Sequence, residues 1–276
     1  MGQEIPADPI SKRVIVYHLP AMDAVTVRRD LEYRAGAAGA LTLDIYSPPD
    51  AGPGQRLPMV IFTLGYSDLG AQARLGCRFK EMGAYTSWAR LVAASGLAAV
   101  TYSTREPAAD LPALLEFLRA NAVSLGLDGE KIGLWACSGN VPTALSVLME
   151  GAGRGVQCAV LSHGYMLDLD GAAGVAEAAR AFGFVNPAAG RTVDDLPPDL
   201  PLFVVRAGRD EMPRLNGSID GFLVKALARN LPVTFVNHRE GPHAYDLFDA
   251  SEASCEVIRQ IVAFLRFHLL AAPARS

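Results

Sequence analysis

Cysteine is scarce in this chain: Cys77, Cys137, Cys158 and Cys255 are the only four among 276 residues. None forms a CxxC pair, and none stands beside histidines at zinc-ligand spacing, so they read as reduced, mostly core residues and no metal is expected. An excess of basic residues is also missing. Lys and Arg total 25 against 29 Asp and Glu, a net charge of −4 with both signs spread along the chain. That excludes the electrostatic footprint of a nucleic-acid binder. No apolar run reaches the ~18 residues that a membrane span needs. The opening MGQEIPADPISKRV carries no apolar segment of the secretory kind. The expectation is a cytoplasmic protein that engages neither nucleic acid nor membrane.

What is present is a large apolar fraction. Half the residues are hydrophobic and a fifth are charged, the composition of a globule with a substantial core. The first third reads as β-structure. Residues 13–18, 25–33 and 41–46 are short runs rich in β-branched and aromatic residues, separated by Pro20, by Gly36 and Gly39, and by Pro48-Pro49. Residues 50–58 form a Gly/Pro-rich loop.

The pattern then changes. Continuous apolar runs at 59–64, 97–102, 132–136, 158–161, 202–205 and 233–237 predict strands, most of them buried on both faces. Between them, helices are expected over 85–95, from a cap at Asp110 through Leu111, Leu114, Leu115 and Leu118, over 143–149, 218–229 and 257–270. Buried strands alternating with helices imply an α/β fold: a mostly parallel sheet covered on both faces, with an antiparallel N-terminal edge. Residues 164–200 separate two strands by more than one crossover needs. Rich in Ala, Gly and Pro, with a short helix expected at 175–182, they read as a lid-like insertion in a single domain.

In an open parallel sheet, chemistry gathers just past the carboxyl ends of the strands. After 132–136 comes Cys137-Ser138-Gly139-Asn140, then a helix. A strand that turns sharply into a helix presents one side chain on a strained tip, the nucleophile elbow, with small residues two before and two after it. With Ser138 at the tip those flanks are Ala136 and Asn140. With Cys137 they would be Trp135 and Gly139, and Trp suits the tight position worse. Asn140 is larger than the rule asks.

Among the five histidines, His18, His163, His238, His243 and His268, His243 follows the last strand in Gly241-Pro242-His243, a loop at the sheet's edge. Imidazole can take a proton from serine at neutral pH and return it. His238 competes from nearer the strand end; His163 reads as a pocket or structural residue. The acid should follow a strand between the elbow at Ser138 and the base at His243. Asp210 does so, after 202–205, with Glu211 as its neighbour and runner-up. For the developing oxyanion, backbone N–H donors are expected from Gly139 and from Tyr66 in the loop after 59–64.

These segments resemble the dienelactone-hydrolase-like and esterase branch of the α/β-hydrolase superfamily. Residues 131–139 are similar to its strand-to-helix elbow, Arg206-Ala-Gly-Arg-Asp210 to its acid turn, and Gly241-Pro-His243 to its histidine loop. The chain departs from that pattern twice: dienelactone hydrolase uses cysteine where Ser138 stands, and Leu64-Gly65 replaces the His-Gly pair common in esterases. The resemblance implies a serine hydrolase acting on a small acyl substrate, an ester, thioester or lactone, without a cofactor. Acyl transfer, cleavage of a C–C or amide bond, and ligand binding without catalysis stay open, as does homo-oligomerisation. A dinucleotide-binding oxidoreductase is disfavoured, since residues 65–70 lack the middle glycine of G-x-G-x-x-G.

Overall fold

The computed structural model describes residues 9–36, 39–52, 54–151 and 153–270. Eight strands form one sheet: β1 (Thr26–Arg34), β2 (Leu41–Ser47), β3 (Leu57–Phe62), β4 (Ala98–Tyr102), β5 (Leu127–Ser138), β6 (Val156–Gly164), β7 (Leu202–Ala207) and β8 (Val233–His238). Their spatial order is β1-β2-β4-β3-β5-β6-β7-β8. β1 and β2 pair antiparallel, as do β2 and β4, and every later pair is parallel. The expected architecture is therefore present. Strands β3 and β4 are buried along their whole length, which is why their sequences run apolar without alternation. β8 closes the sheet as an edge strand, and much of its length is exposed.

The helices are α1 (Asp68–Leu75), α2 (Gly83–Ala94), α3 (Pro107–Ala120), α4 (Ala122–Leu125), α5 (Val141–Met149), α6 (Gly174–Phe182), α7 (Leu215–Ala228), α8 (Tyr245–Phe248) and α9 (Glu252–Leu270). α3 starts a turn earlier than the spacing predicts. Pro107 opens it, and Asp110 lies in its first turn, as suits a proline with no N–H to satisfy. Asp110 still serves the helix start: its Oδ2 accepts from the amides of Arg105 and Glu106, both at 2.8 Å. Helix α1 was not foreseen. Its signals are a Ser67 cap, whose oxygen accepts from Leu69, and a left-handed Gly76 at its end.

One strand expectation is corrected. Residues 13–18 do not join the sheet. Their amides go elsewhere: Ile15 donates to Ser87 Oγ on α2 (3.0 Å) and Val16 to the Asp246 carbonyl on α8 (2.8 Å). The passage crosses closely over Gly83, where a Cβ would stand 2.6 Å from the Lys12 carbonyl oxygen. Local β-propensity reports a willingness to be extended, and here the extended chain found helices to pair with. At the front edge the buried Lys80 Nζ bonds Asp44 (2.6 Å) and Asp30 (2.7 Å), tying the β1–β2 ribbon to the body.

Candidate active site

Three strand ends bring the chemistry together. Ser138 ends β5, Asp210 lies three residues past β7, and His243 five past β8. Ser138 Oγ is 3.1 Å from His243 Nε2, and His243 Nδ1 is 2.7 Å from Asp210 Oδ2. The Asp210 side chain is fully buried, while that of His243 is 30 % exposed. Asp210 Oδ1 accepts from the Met212 amide at 2.9 Å, which fixes the carboxylate plane. The two loops are also stitched through backbone: Gly208 donates to the His238 carbonyl (2.8 Å) and Arg209 to that of Gly241 (2.9 Å). A serine, an imidazole and a buried carboxylate in this relay can move the serine proton to Nε2 while the acid holds the ring's tautomer.

The competitors fall away on geometry. Cys137 faces Asn140 Nδ2 at 3.6 Å, and burial pushes its thiol up, far from a thiolate. Glu211 is exposed. His238 is buried and bonded through Nε2 to Ser254 Oγ at 2.7 Å.

The elbow is tight and strained. Ser138 has φ +53°, a left-handed conformation that non-glycine residues rarely adopt. Asn140, the residue that breaks the small-residue rule, is buried because its side chain is used. Its Oδ1 accepts from the Gly65 amide at 2.7 Å, and its Nδ2 donates to the Tyr85 hydroxyl at 3.0 Å. The requirement for smallness has moved to the residues that face the elbow. At Gly65 a Cβ would stand 2.9 Å from Asn140 Cα; at Gly164 it would collide with Val141.

Three further residues border the relay: His163, whose pocket or structural place was expected, and Phe79 and Phe184, which were not. His163 is buried, also at positive φ (+35°), and its ring meets His243 edge-on at 5.1 Å. Burial and the neighbouring His243 hold it well below the usual imidazole range, so it is neutral. Its Nδ1 is 3.0 Å from Ser162 Oγ, which in turn is 3.1 Å from the Tyr245 hydroxyl. Phe79 and Phe184 flank the Tyr66 ring with centroids at 5.8 and 5.9 Å. Nothing in the local sequence marks either of them, since both arrive from distant segments.

Beside Ser138 opens a cavity of about 310 Å³, walled by Tyr85, Trp88, Trp135, Met82 and Leu247. Residues 164–200 border the site too: the Val185 amide donates to the Gly65 carbonyl (2.8 Å), and Phe184 stacks on Tyr165 at 5.1 Å. Among the described residues no group of three or more His, Cys, Asp or Glu is placed to hold a metal ion, and no helix is long and apolar enough to cross a membrane.

The sheet order, the elbow and the three strand-end residues define a chain with the α/β-hydrolase fold, and comparison with solved structures agrees. The chain is similar to a thermostable esterase from Pseudomonas putida (TM-score 0.67, 16 % identity, 91 % of this chain and 85 % of that one). It is similar to Thermogutta terrifontis esterase 2, solved phosphoramylated by tabun (0.66, 16 %, 92 % and 98 %). It is also similar to the Pyrobaculum calidifontis esterase (0.62, 19 %, 89 % and 86 %). No protein-family model matches the chain, and no curated protein matches it in sequence.

Proposed function

We propose that this chain is a serine hydrolase cleaving a carboxylic ester through an acyl-enzyme on Ser138. The observation that carries the reading is the relay itself, 3.1 Å from Ser138 to His243 and 2.7 Å from His243 to Asp210. The structural neighbours support it, being esterases, one of them phosphoramylated by tabun. Ser138 Oγ attacks the carbonyl carbon as its proton passes to His243 Nε2. The tetrahedral intermediate collapses, and His243 returns the proton to the departing alcohol. Water then releases the acyl group by the same route.

Negative charge on the carbonyl oxygen requires donors already in place. The Gly65 amide is committed to Asn140. Among the described residues, the amides of Gly139 and Tyr66 have no protein acceptor, and we assign them to the oxyanion. The aromatic-walled cavity takes a compact acyl arm, as apolar pockets with few polar groups do. Residues 164–200 act as a lid-like insertion over the Gly65 turn and Gly139, on the support of the Val185 and Phe184 contacts. The dienelactone-hydrolase-like branch remains the part of the family this chain resembles in its motifs.

A fluorophosphonate probe tests the reading. Peptide mapping should place the adduct on Ser138, and His243→Ala should abolish labelling and lower ester turnover by about 10³-fold or more. Folded wild-type protein that takes no label and turns over no p-nitrophenyl ester would sink it.

A further inference from the structure

The sequence points to the Tyr66 backbone, but the structure also places its side chain at the reacting atoms. The ring is wedged between Phe79 and Phe184, and its hydroxyl oxygen lies directly over Gly139. So close is the approach that a Cβ at residue 139 would collide with that oxygen, and would stand 2.6 Å from Phe184 Cδ1. Tyr66 and Ser138 also line the same cavity. Hence the hydroxyl sits against the residue that follows the nucleophile, beside the region that the carbonyl oxygen enters when Oγ bonds to carbon. We propose that the Tyr66 hydroxyl is itself an oxyanion donor, a catalytic residue acting beside the Gly139 and Tyr66 amides.

Several features suit it to that task. Burial pushes its pKa up to about 12, so the group stays a protonated donor across the working pH range of an esterase. The flanking rings hold the phenol in one orientation before substrate arrives, so no reorganisation is needed as charge develops. The Gly65 amide, a neighbouring donor in the same turn, is already taken by Asn140. The phenol also explains why residue 139 must lack a side chain.

In the step itself, Ser138 Oγ forms a bond to the carbonyl carbon. The π pair moves to the carbonyl oxygen, and the serine proton moves to His243. The phenol hydrogen-bonds that oxygen and keeps its own proton. When the C=O re-forms, the leaving-group oxygen departs with the proton from His243, and the Tyr66 phenol is left unchanged.

This rests on the ester-hydrolase reading, and one experiment separates the two. Wild type and Tyr66→Phe are compared on p-nitrophenyl acetate. The variant keeps the backbone amide and the ring packing. The expected result is a kcat lower by about 10- to 100-fold with KM changed less than about three-fold, and a matching loss in affinity for a trifluoromethyl ketone that forms a tetrahedral adduct. An active wild type with a variant kcat within about two-fold overturns this inference alone; an inactive wild type removes both. Should Tyr66→Phe melt much earlier than wild type, 3-fluorotyrosine at position 66 keeps the shape and sharpens the donor. A kcat that fails to respond to it also overturns the inference.

Discussion

Asn140 looks wrong for its place in a nucleophile elbow until its partners are named. It is buried, and both ends of its amide are engaged, one with the loop at Gly65 and one with Tyr85. It thereby fixes the distance between the elbow and the loop at Gly65. Asn140→Ala would leave the buried Gly65 amide without its acceptor. The expected cost is about 1–3 kcal/mol in a denaturant titration, with kcat lowered several-fold while KM holds. An unchanged denaturation midpoint would contradict this role. The residue was legible as an anomaly, but its use was not, because Gly65 is 75 positions away. Ser138, Asp210 and His243 were legible for the opposite reason. Each follows an apolar run whose end the sequence marks, and in a parallel sheet those ends gather on one edge.

At the scale of elements, the site depends on how closely β6 passes the β5–α5 elbow. Ser138 pairs with Gly164 at the end of β6, and a Cβ on Gly164 would collide with Val141 on α5. Gly164→Ala should therefore push the helix off its strand, lowering the melting temperature by several degrees and activity with it. Adding Val141→Ala should restore part of both, because it removes the colliding methyl groups. A double variant no better than the single one would mean that the crossing is not the limiting contact. The strands themselves were readable from their apolar runs. Residues 13–18 were misread because periodicity reports extension without naming the partner. Helix α1 was overlooked because its turn of polar and small residues shows no apolar stripe, and only its caps at Ser67 and Gly76 betray it.

Across the whole molecule, burial of ionisable groups couples stability to pH. His163 is buried in the folded chain and held neutral well below the usual imidazole pKa of 6.5. Once unfolded, it takes up a proton as pH falls through ~6.5, and the folded state does not. The unfolded state then binds more protons, so stability rises with pH in that window and is lost on acidification, approaching about 1.4 kcal/mol per pH unit for one group. The buried Asp246 works in the opposite sense, since burial raises its carboxyl; its effect begins only above the unfolded value of 3.8 and favours the folded state on the acid side. Comparing wild type with His163→Gln cancels such shared contributions. Melting temperatures measured from pH 7.5 to 5 should fall less steeply in the variant, and parallel curves would refute the assignment.

Sequence alone determined the alternation of buried strands and helices, the antiparallel front and the three strand-end residues. These follow from local hydrophobic pattern, turn chemistry and the rule that parallel strands share a carboxyl edge. Tertiary structure decided what pattern cannot carry: that residues 13–18 stay outside the sheet, that Asn140 clamps the Gly65 loop, that His163 packs on His243, and that the Tyr66 hydroxyl reaches Gly139. Each of those depends on side chains from segments tens of residues apart meeting at van der Waals distance. A one-dimensional pattern records what a residue prefers, whereas close packing settles which of its neighbours it meets.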